Sequence, residues 1–195
     1  MLGIALDEQK QNLLLEYVEL LAKWNRAYNL TAVRDPARMI SRHLLDSLAI
    51  AQHLPGQRLL DVGTGAGLPG IPLAILFPER EFHLLDSNGK KTRFLFQVKT
   101  ALGLDNITIH RQRAESFCPN ALFDVVLSRA FASLQDMASA CRHLLAGGGY
   151  FLAMKGSFPE GELKAVAALC RVQSVSSIVV PGLDEQRHLI ALTLR

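Results

Sequence analysis

The feature that most constrains this chain is the run Leu59-Leu60-Asp61-Val62-Gly63-Thr64-Gly65-Ala66-Gly67-Leu68-Pro69-Gly70, where an apolar stretch ends in an acid and opens into a glycine-rich turn. Glycine at every second position lets the backbone turn sharply off a strand and approach a ligand without Cβ interference. It then leads into a helix whose first amides face the site. The run predicts a strand, a tight loop and a helix that together suit an adenosine-bearing cofactor.

Spacing narrows the choice of cofactor. A dinucleotide fingerprint reads Gly-x-Gly-x-x-Gly, with a pyrophosphate on the helix N-terminus. Here the order from Asp61 to Gly67 is Asp-x-Gly-x-Gly-x-Gly. This resembles motif I of class I S-adenosylmethionine (SAM) methyltransferases. The resemblance implies a loop wrapped around a phosphate-free cofactor through Gly63 and Gly65, with Asp61 orienting the loop or the amino-acid end of SAM. Farther on, Phe82-His83-Leu84-Leu85 ends in Asp86, about the twenty-residue interval at which a second-strand carboxylate reaches ribose hydroxyls. Asp86 equally suits the N-cap of the helix that follows; capping by Ser87 or Asn88 would leave it free for ribose.

A chain of 195 residues with 49% hydrophobic content can bury one substantial core. Met1 to Leu6 has neither a basic start nor a long apolar segment, and no run approaches a membrane span. A soluble, cytoplasmic protein is expected, and a monomer by default. Cys118, Cys141 and Cys170 are odd in number and widely spaced, with no Cys-x-x-Cys. Cys141 and Cys170 fall in apolar helical patterns, so the reading is reduced, structural thiols and no metal. A net charge of +3 permits a nucleic-acid partner without requiring one. Arg34, Arg38 and Arg42 recur every four residues, followed by His43. On a helix they would form one stripe, either a solvated face or part of an RNA surface.

Residues 1–56 read as a helical extension and 57–195 as the cofactor domain, in one compact unit. Leu14, Tyr17, Val18, Leu21 and Trp24 mark an amphipathic helix begun by Asp7. Asp35-Pro36 starts a second helix, expected through about Ala51. Apolar strand-like runs then lie near 58–62, 82–85, 106–110, 123–128, 149–154, 175–180 and 187–194, most of them separated by helical patterns. That alternation argues for a parallel sheet covered on both faces. Pro181 to Glu185 is too short for a right-handed crossover, so the last strand should run antiparallel. A seven-stranded α/β sheet with its last strand reversed is the class I methyltransferase arrangement.

Ligands of such sheets bind beyond the carboxyl ends of the strands. Those ends are polar here: Asp61, Asp86, Arg113-Ala114-Glu115, Ser128-Arg129-Ala130-Phe131 and Lys155-Gly156. These segments, together with Trp24-Asn25, Asn29-Leu30-Thr31, Arg42-His43-Leu44-Leu45-Asp46-Ser47, Lys90-Lys91 and Arg187-His188, resemble in order, over almost the whole chain, the RsmG family (formerly glucose-inhibited division protein B). These are bacterial small-subunit ribosomal RNA (guanine-N7) methyltransferases. The resemblance implies transfer of a methyl group from SAM to N7 of a guanine in the decoding-region loop of 16S rRNA, alone or within the 30S subunit or an assembly intermediate. By matching position it implies that Gly63, Leu68, Ala114, Glu115 and Arg129 bind SAM.

Guanine N7 already carries an exposed lone pair, so no general base is needed and no catalytic dyad is nominated; alignment dominates. Glu115 suits an acceptor for the adenine amino group, or is an exposed loop charge. Arg129 faces cofactor or phosphate, or forms a structural salt bridge. Lys155 binds an RNA phosphate or sits near the base, or is solvated. Arg38, Arg42 and His43 are candidates for the RNA surface, with His43 equally able to pair with Asp46. Three other readings compete: a SAM-dependent methyltransferase acting on another RNA, an NAD-dependent dehydrogenase, whose fingerprint is absent, and a SAM- or RNA-binding module without turnover.

Overall fold

The computed structural model describes residues 3–129 and 131–195. Helix α1 spans Glu8–Tyr28 and is capped by Asp7, whose carboxylate accepts from Lys10 N. The second helical segment starts as expected, with Asp35 capping α2 (Pro36–Met39). It does not continue as one helix: residues Ile40–Leu45 form a π turn before α3 (Asp46–Leu48) and a 3₁₀ turn at Ala51–His53. The extra residue per turn breaks the expected arginine stripe. Arg34 lies ahead of the cap, Arg38 is exposed, and Arg42 sits in the π turn. Such turns are common where a helix must re-aim side chains at a functional site.

Seven strands follow: β1 (Arg58–Val62), β2 (Glu81–Leu85), β3 (Ile107–His110), β4 (Phe123–Ser128), β5 (Leu145–Lys155), β6 (Cys170–Ser177) and β7 (His188–Leu194). Their order is β3-β2-β1-β4-β5-β7-β6. β1 to β5 are parallel, and β7 inserts antiparallel between β5 and β6. The reversed last strand is therefore as expected. β6 lies earlier than expected, because pairing begins at Cys170 with Leu194, and Arg171 and Gln173 give this edge strand a polar, exposed stretch that is no apolar run. Cys170 consequently belongs to a strand and not to a helix. β5 also starts early, at Leu145, ahead of the glycines at 147–149.

Alternate strand residues feed two apolar layers. Leu59, Leu84, Val125, Leu127 and Leu152 pack with α1, α3, α4 (Gly70–Leu76) and α5 (Gly89–Leu102). Leu60, Val62, Val126, Phe151 and Ile190 pack on the opposite face with α6 (Leu134–Cys141) and α7 (Glu160–Val166). The α1 helix thus shares its core with the sheet, and its buried Tyr17 donates to the Ala66 carbonyl of the glycine loop at 2.8 Å. Among the described residues no helix is long and apolar enough to cross a membrane, and no cluster of His, Cys, Asp and Glu could hold a metal ion. All three cysteines are free.

Candidate active site

Strand order reverses between β1 and β4, and the polar strand ends gather there. The glycine loop is fixed from within. Asp61, 1% exposed, accepts through Oδ2 from Thr64 Oγ1 at 2.7 Å and from Gly70 N at 2.9 Å. Its Oδ1 is buried with no partner among the described residues. Burial raises the carboxyl to about 7 against the opposing hydrogen bonds from Thr64 and Gly70. Asp61 therefore orients the loop and does not reach outward.

The helix after the loop also differs from expectation. α4 begins only at Gly70, whose amide goes to Asp61, while Ile71 N donates to Gly67 O at 2.7 Å and Pro72 has no N–H. Its first amides are occupied within the protein, so the loop backbone from Gly63 to Ala66, rather than a helix N-terminus, faces the site. Gly65 has φ +61°, and a Cβ there would meet nothing nearer than 3.8 Å. It is glycine for its backbone angle and leaves open space above the loop.

Asp86 is not the helix cap. Asn88 caps α5 by accepting from Lys90 N. Asp86 instead accepts from Gly65 N at 3.0 Å through Oδ2, which also faces Lys91 Nζ at 3.4 Å, and from Asn88 N at 2.8 Å through Oδ1. It ties the first loop to the second strand while lining the cleft.

Three clefts follow one another along this rim. The first is lined by Val62, Gly63, Asp86, Ala114, Glu115 and Phe131. Ala114 and the exposed Glu115 stand on a 3₁₀ turn after β3. The second runs over Gly63, Thr64, Gly65 and Leu68 to Arg129. The third is bounded by Arg42, His43, Asp46, Arg129, Lys155 and Arg187. Gly63 belongs to the first two and Arg129 to the last two, so the clefts form one continuous track.

The third cleft is built from paired charges. Asp46, 3% exposed, accepts from Arg129 Nη1 through Oδ2 and from Arg187 Nε through Oδ1, both at 2.9 Å. The salt-bridge reading of Arg129 thus holds in the geometry, and Arg129 lines the clefts on both sides of that bridge. Lys155 is not a solvated amine. It is committed to Glu162 at 2.9 Å and to the carbonyls of Phe131 and Ala132, which leaves it no free donor for a phosphate. It anchors the segment after β4, of which Ala130 lies outside the described residues.

His43 does not pair with Asp46. Its Nδ1 lies 3.0 Å from the Arg42 carbonyl, which assigns the proton there, so Nε2 accepts from Thr31 Oγ1 at 2.7 Å. Burial, with Arg129 nearby, lowers its pKa and keeps the ring neutral. Both ring nitrogens are occupied, and His43 offers no free base.

The hub role of Asp46, the anchor Glu162 and the loop acid Glu185 went unread in the sequence. The one signal was an acid between apolar residues in Leu44-Leu45-Asp46-Ser47-Leu48, where a buried carboxylate demands cationic partners.

A family model described as rRNA small subunit methyltransferase G (GidB) matches residues 10–190. The chain belongs to this family. Proteins named Ribosomal RNA small subunit methyltransferase G from Cellvibrio japonicus and Pseudomonas aeruginosa are each 55% identical to it over 98% of this chain and 90% of their own length. Among solved structures, ribosomal protein L11 methylase from Lactobacillus delbrueckii subsp. bulgaricus superposes with a TM-score of 0.61 at 16% identity, covering 77% of each chain. A SAM-dependent methyltransferase from Geobacter sulfurreducens, in complex with S-adenosyl-L-homocysteine, gives 0.59 at 14% identity over 91% of this chain and 98% of that one. The GidB-family chain thus has the class I SAM-dependent methyltransferase fold.

Proposed function

We propose that the protein transfers a methyl group from SAM to N7 of a guanine in the decoding-region loop of 16S rRNA, releasing S-adenosyl-L-homocysteine. The observation that carries this reading is the continuous track, in which a slot for an adenosine-bearing ligand leads past Arg129 into a cation-ringed cleft. The residues present fit the cofactor. Gly65 leaves open space over a bare backbone, Val62 and Ala114 give the first cleft an apolar wall, and Glu115 and Asp86 offer acceptors for an amine and for ribose hydroxyls. When bound, SAM supplies a methyl group made electrophilic by its sulfonium.

The chain's own residues then have to align and enclose. Gly63, Gly65 and Leu68 hold the amino-acid end of the cofactor, and Asp86, Ala114 and Glu115 its adenosine. Arg129, fixed by Asp46, stands at the junction of cofactor and acceptor. Holding the two reactants in line at about 3 Å supplies several kcal/mol of the rate enhancement. No group in the third cleft needs to take a proton, which agrees with a His43 whose nitrogens are both occupied. Arg38 and Arg42 extend the RNA surface. The substrate is the 30S subunit or an assembly intermediate, met by a monomer in the cytoplasm.

The test is transfer of labelled methyl from SAM to unmodified 30S subunits, with borohydride and aniline cleavage to map N7-methylguanine. A single cleavage in the decoding-region loop is expected. SAM binding without incorporation would leave a binding module, and retention on NAD in place of S-adenosyl-L-homocysteine would leave a dehydrogenase.

A further inference from the structure

Four cations ring the third cleft, and their carboxylate partners differ in how firmly they hold. Asp46 is buried and grips Arg129 and Arg187 together. Glu162, whose side chain is 29% exposed, holds Lys155, which is also bound to two carbonyls. Glu185 is different. It lies between β6 and β7, its side chain is 45% exposed, and it accepts from Arg42 through Oε1 and from Arg187 Nη2 at 2.9 Å through Oε2. One solvent-facing carboxylate thus joins two guanidiniums 145 positions apart in sequence, 187 less 42. Two arginines converging on a pair of oxygens is also how a phosphate is held.

We propose that Arg42 and Arg187 form the seat for an RNA phosphate beside the target nucleotide, and that Glu185 occupies this seat as an internal stand-in which the RNA displaces. The inference rests on the RNA methyltransferase reading above. An exposed ion pair is weakly held, whereas removing one partner of a buried pair strands a charge. An arriving phosphodiester therefore exchanges with Glu185 and leaves Asp46 in place. Arg187 keeps its Nε on Asp46 while the Nη2 side changes partner, so the seat is aimed before RNA arrives. The competition costs every RNA about the same, so binding is retained best by an RNA that also fills the rest of the cleft.

The experiment measures binding of the full chain to unmodified 30S subunits and to polyuridylate over a range of salt concentrations. Glu185→Gln should bind both about two- to fivefold more tightly, the affinity that one exposed ion pair is worth. Its salt dependence should stay close to that of the wild type, since the same phosphate is neutralised in both complexes. Adding Arg42→Gln should cancel the gain. Asp184→Asn, which removes the neighbouring exposed acid, should give a much smaller gain. Unchanged or weaker binding by Glu185→Gln overturns the inference. So does a gain that survives in the double variant or is matched by Asp184→Asn, since that is a general charge effect. A wild-type chain that neither binds nor methylates 30S subunits overturns the RNA reading itself, and so the two failures are told apart.

Discussion

The two sides of the rim are built by different physics. The proposed cofactor side, at the ends of β1, β2 and β3, is backbone geometry: glycines at positive φ, amides tied to Asp61 and Asp86, and small apolar walls. The proposed acceptor side, at the C-terminal ends of β4 and β5 and the start of β7, is side-chain electrostatics, where Asp46, Glu162 and Glu185 hold four cations in position. A backbone site can be strict about shape with little stored charge. A site made of paired charges depends on every partner being present.

That contrast breaks first if its hub is expendable. Asp46→Ala strands Arg129 and leaves Arg187 with the exposed Glu185 alone as its carboxylate partner, and should cost about 3 kcal/mol of stability, or roughly 6–12 °C of melting temperature for a chain of this size. Methyl transfer should fall at least about 100-fold, as the alignment at Arg129 is lost. A melting curve matching wild type would mean that the acceptor side is not held by its charges. Arg129→Ala should lose transfer similarly, and the two substitutions should be strongly non-additive in a double-mutant cycle. Independent effects there would dissolve the proposed coupling.

On the cofactor side the opposite balance is expected. Gly65→Ala adds a Cβ with room around it but at φ +61°, so the stability cost should be about 1 kcal/mol. Titration calorimetry with S-adenosyl-L-homocysteine should nevertheless show a loss of affinity of about tenfold or more, because the loop backbone can no longer be approached closely. Retained affinity with a large drop in stability would reverse the assignment.

A smaller effect sharpens the same point through pH. Burial holds the Asp61 pKa near 7, above the ordinary 3.8, so between those values the folded chain keeps a proton that the unfolded chain has lost. The stability from that proton is fully present below the ordinary value and disappears as pH rises through about 7. Chemical denaturation should show wild type losing stability relative to Asp61→Asn between about pH 4 and pH 8. Buried His83 pulls the other way. Its pKa is lowered to about 4 by burial, then by Arg58 and His110, and the stability of its neutral form is lost as pH falls from its ordinary value through about 4. A flat difference between wild type and Asp61→Asn would mean that Asp61 is ionised in the fold. The smallest expected change is Asn88→Ala, which removes the α5 cap for about 1 kcal/mol; a shift in RNA affinity from it would give the cofactor side an unexpected reach.

Much of the cofactor side was legible in the sequence because it is local. Asp61, the three glycines and Gly70 lie within ten residues, and Asp86 follows at the next strand end. Even there the amides of α4 were misassigned, since the hydrogen bonds of Asp61 and Gly67 that consume them depend on a turn delaying the helix start. The acceptor side was only partly legible. Arg129, Lys155 and Arg42 stood out as cations at strand ends or along a repeat. Their partners did not, because Arg129 to Asp46 spans 83 positions and Arg187 to Asp46 spans 141. No pattern along the chain reports which buried acid a distant arginine will meet. The π turn was likewise invisible, since propensities read Ile40 to Leu45 as ordinary helix.

The place of β7 gives the two sides different histories. Among the described residues β6 pairs in the sheet with β7 alone, and β7 also brings Arg187 and the loop bearing Glu185. As the chain leaves the ribosome from its N-terminal end, the strands and loops of the cofactor slot emerge first. The proposed seat for RNA is assembled last, when residues from 187 onward add β7 to the edge of β5 and give β6 its partner. Under the proposed function, the cofactor slot of a newborn chain is therefore complete before the surface that would grip RNA.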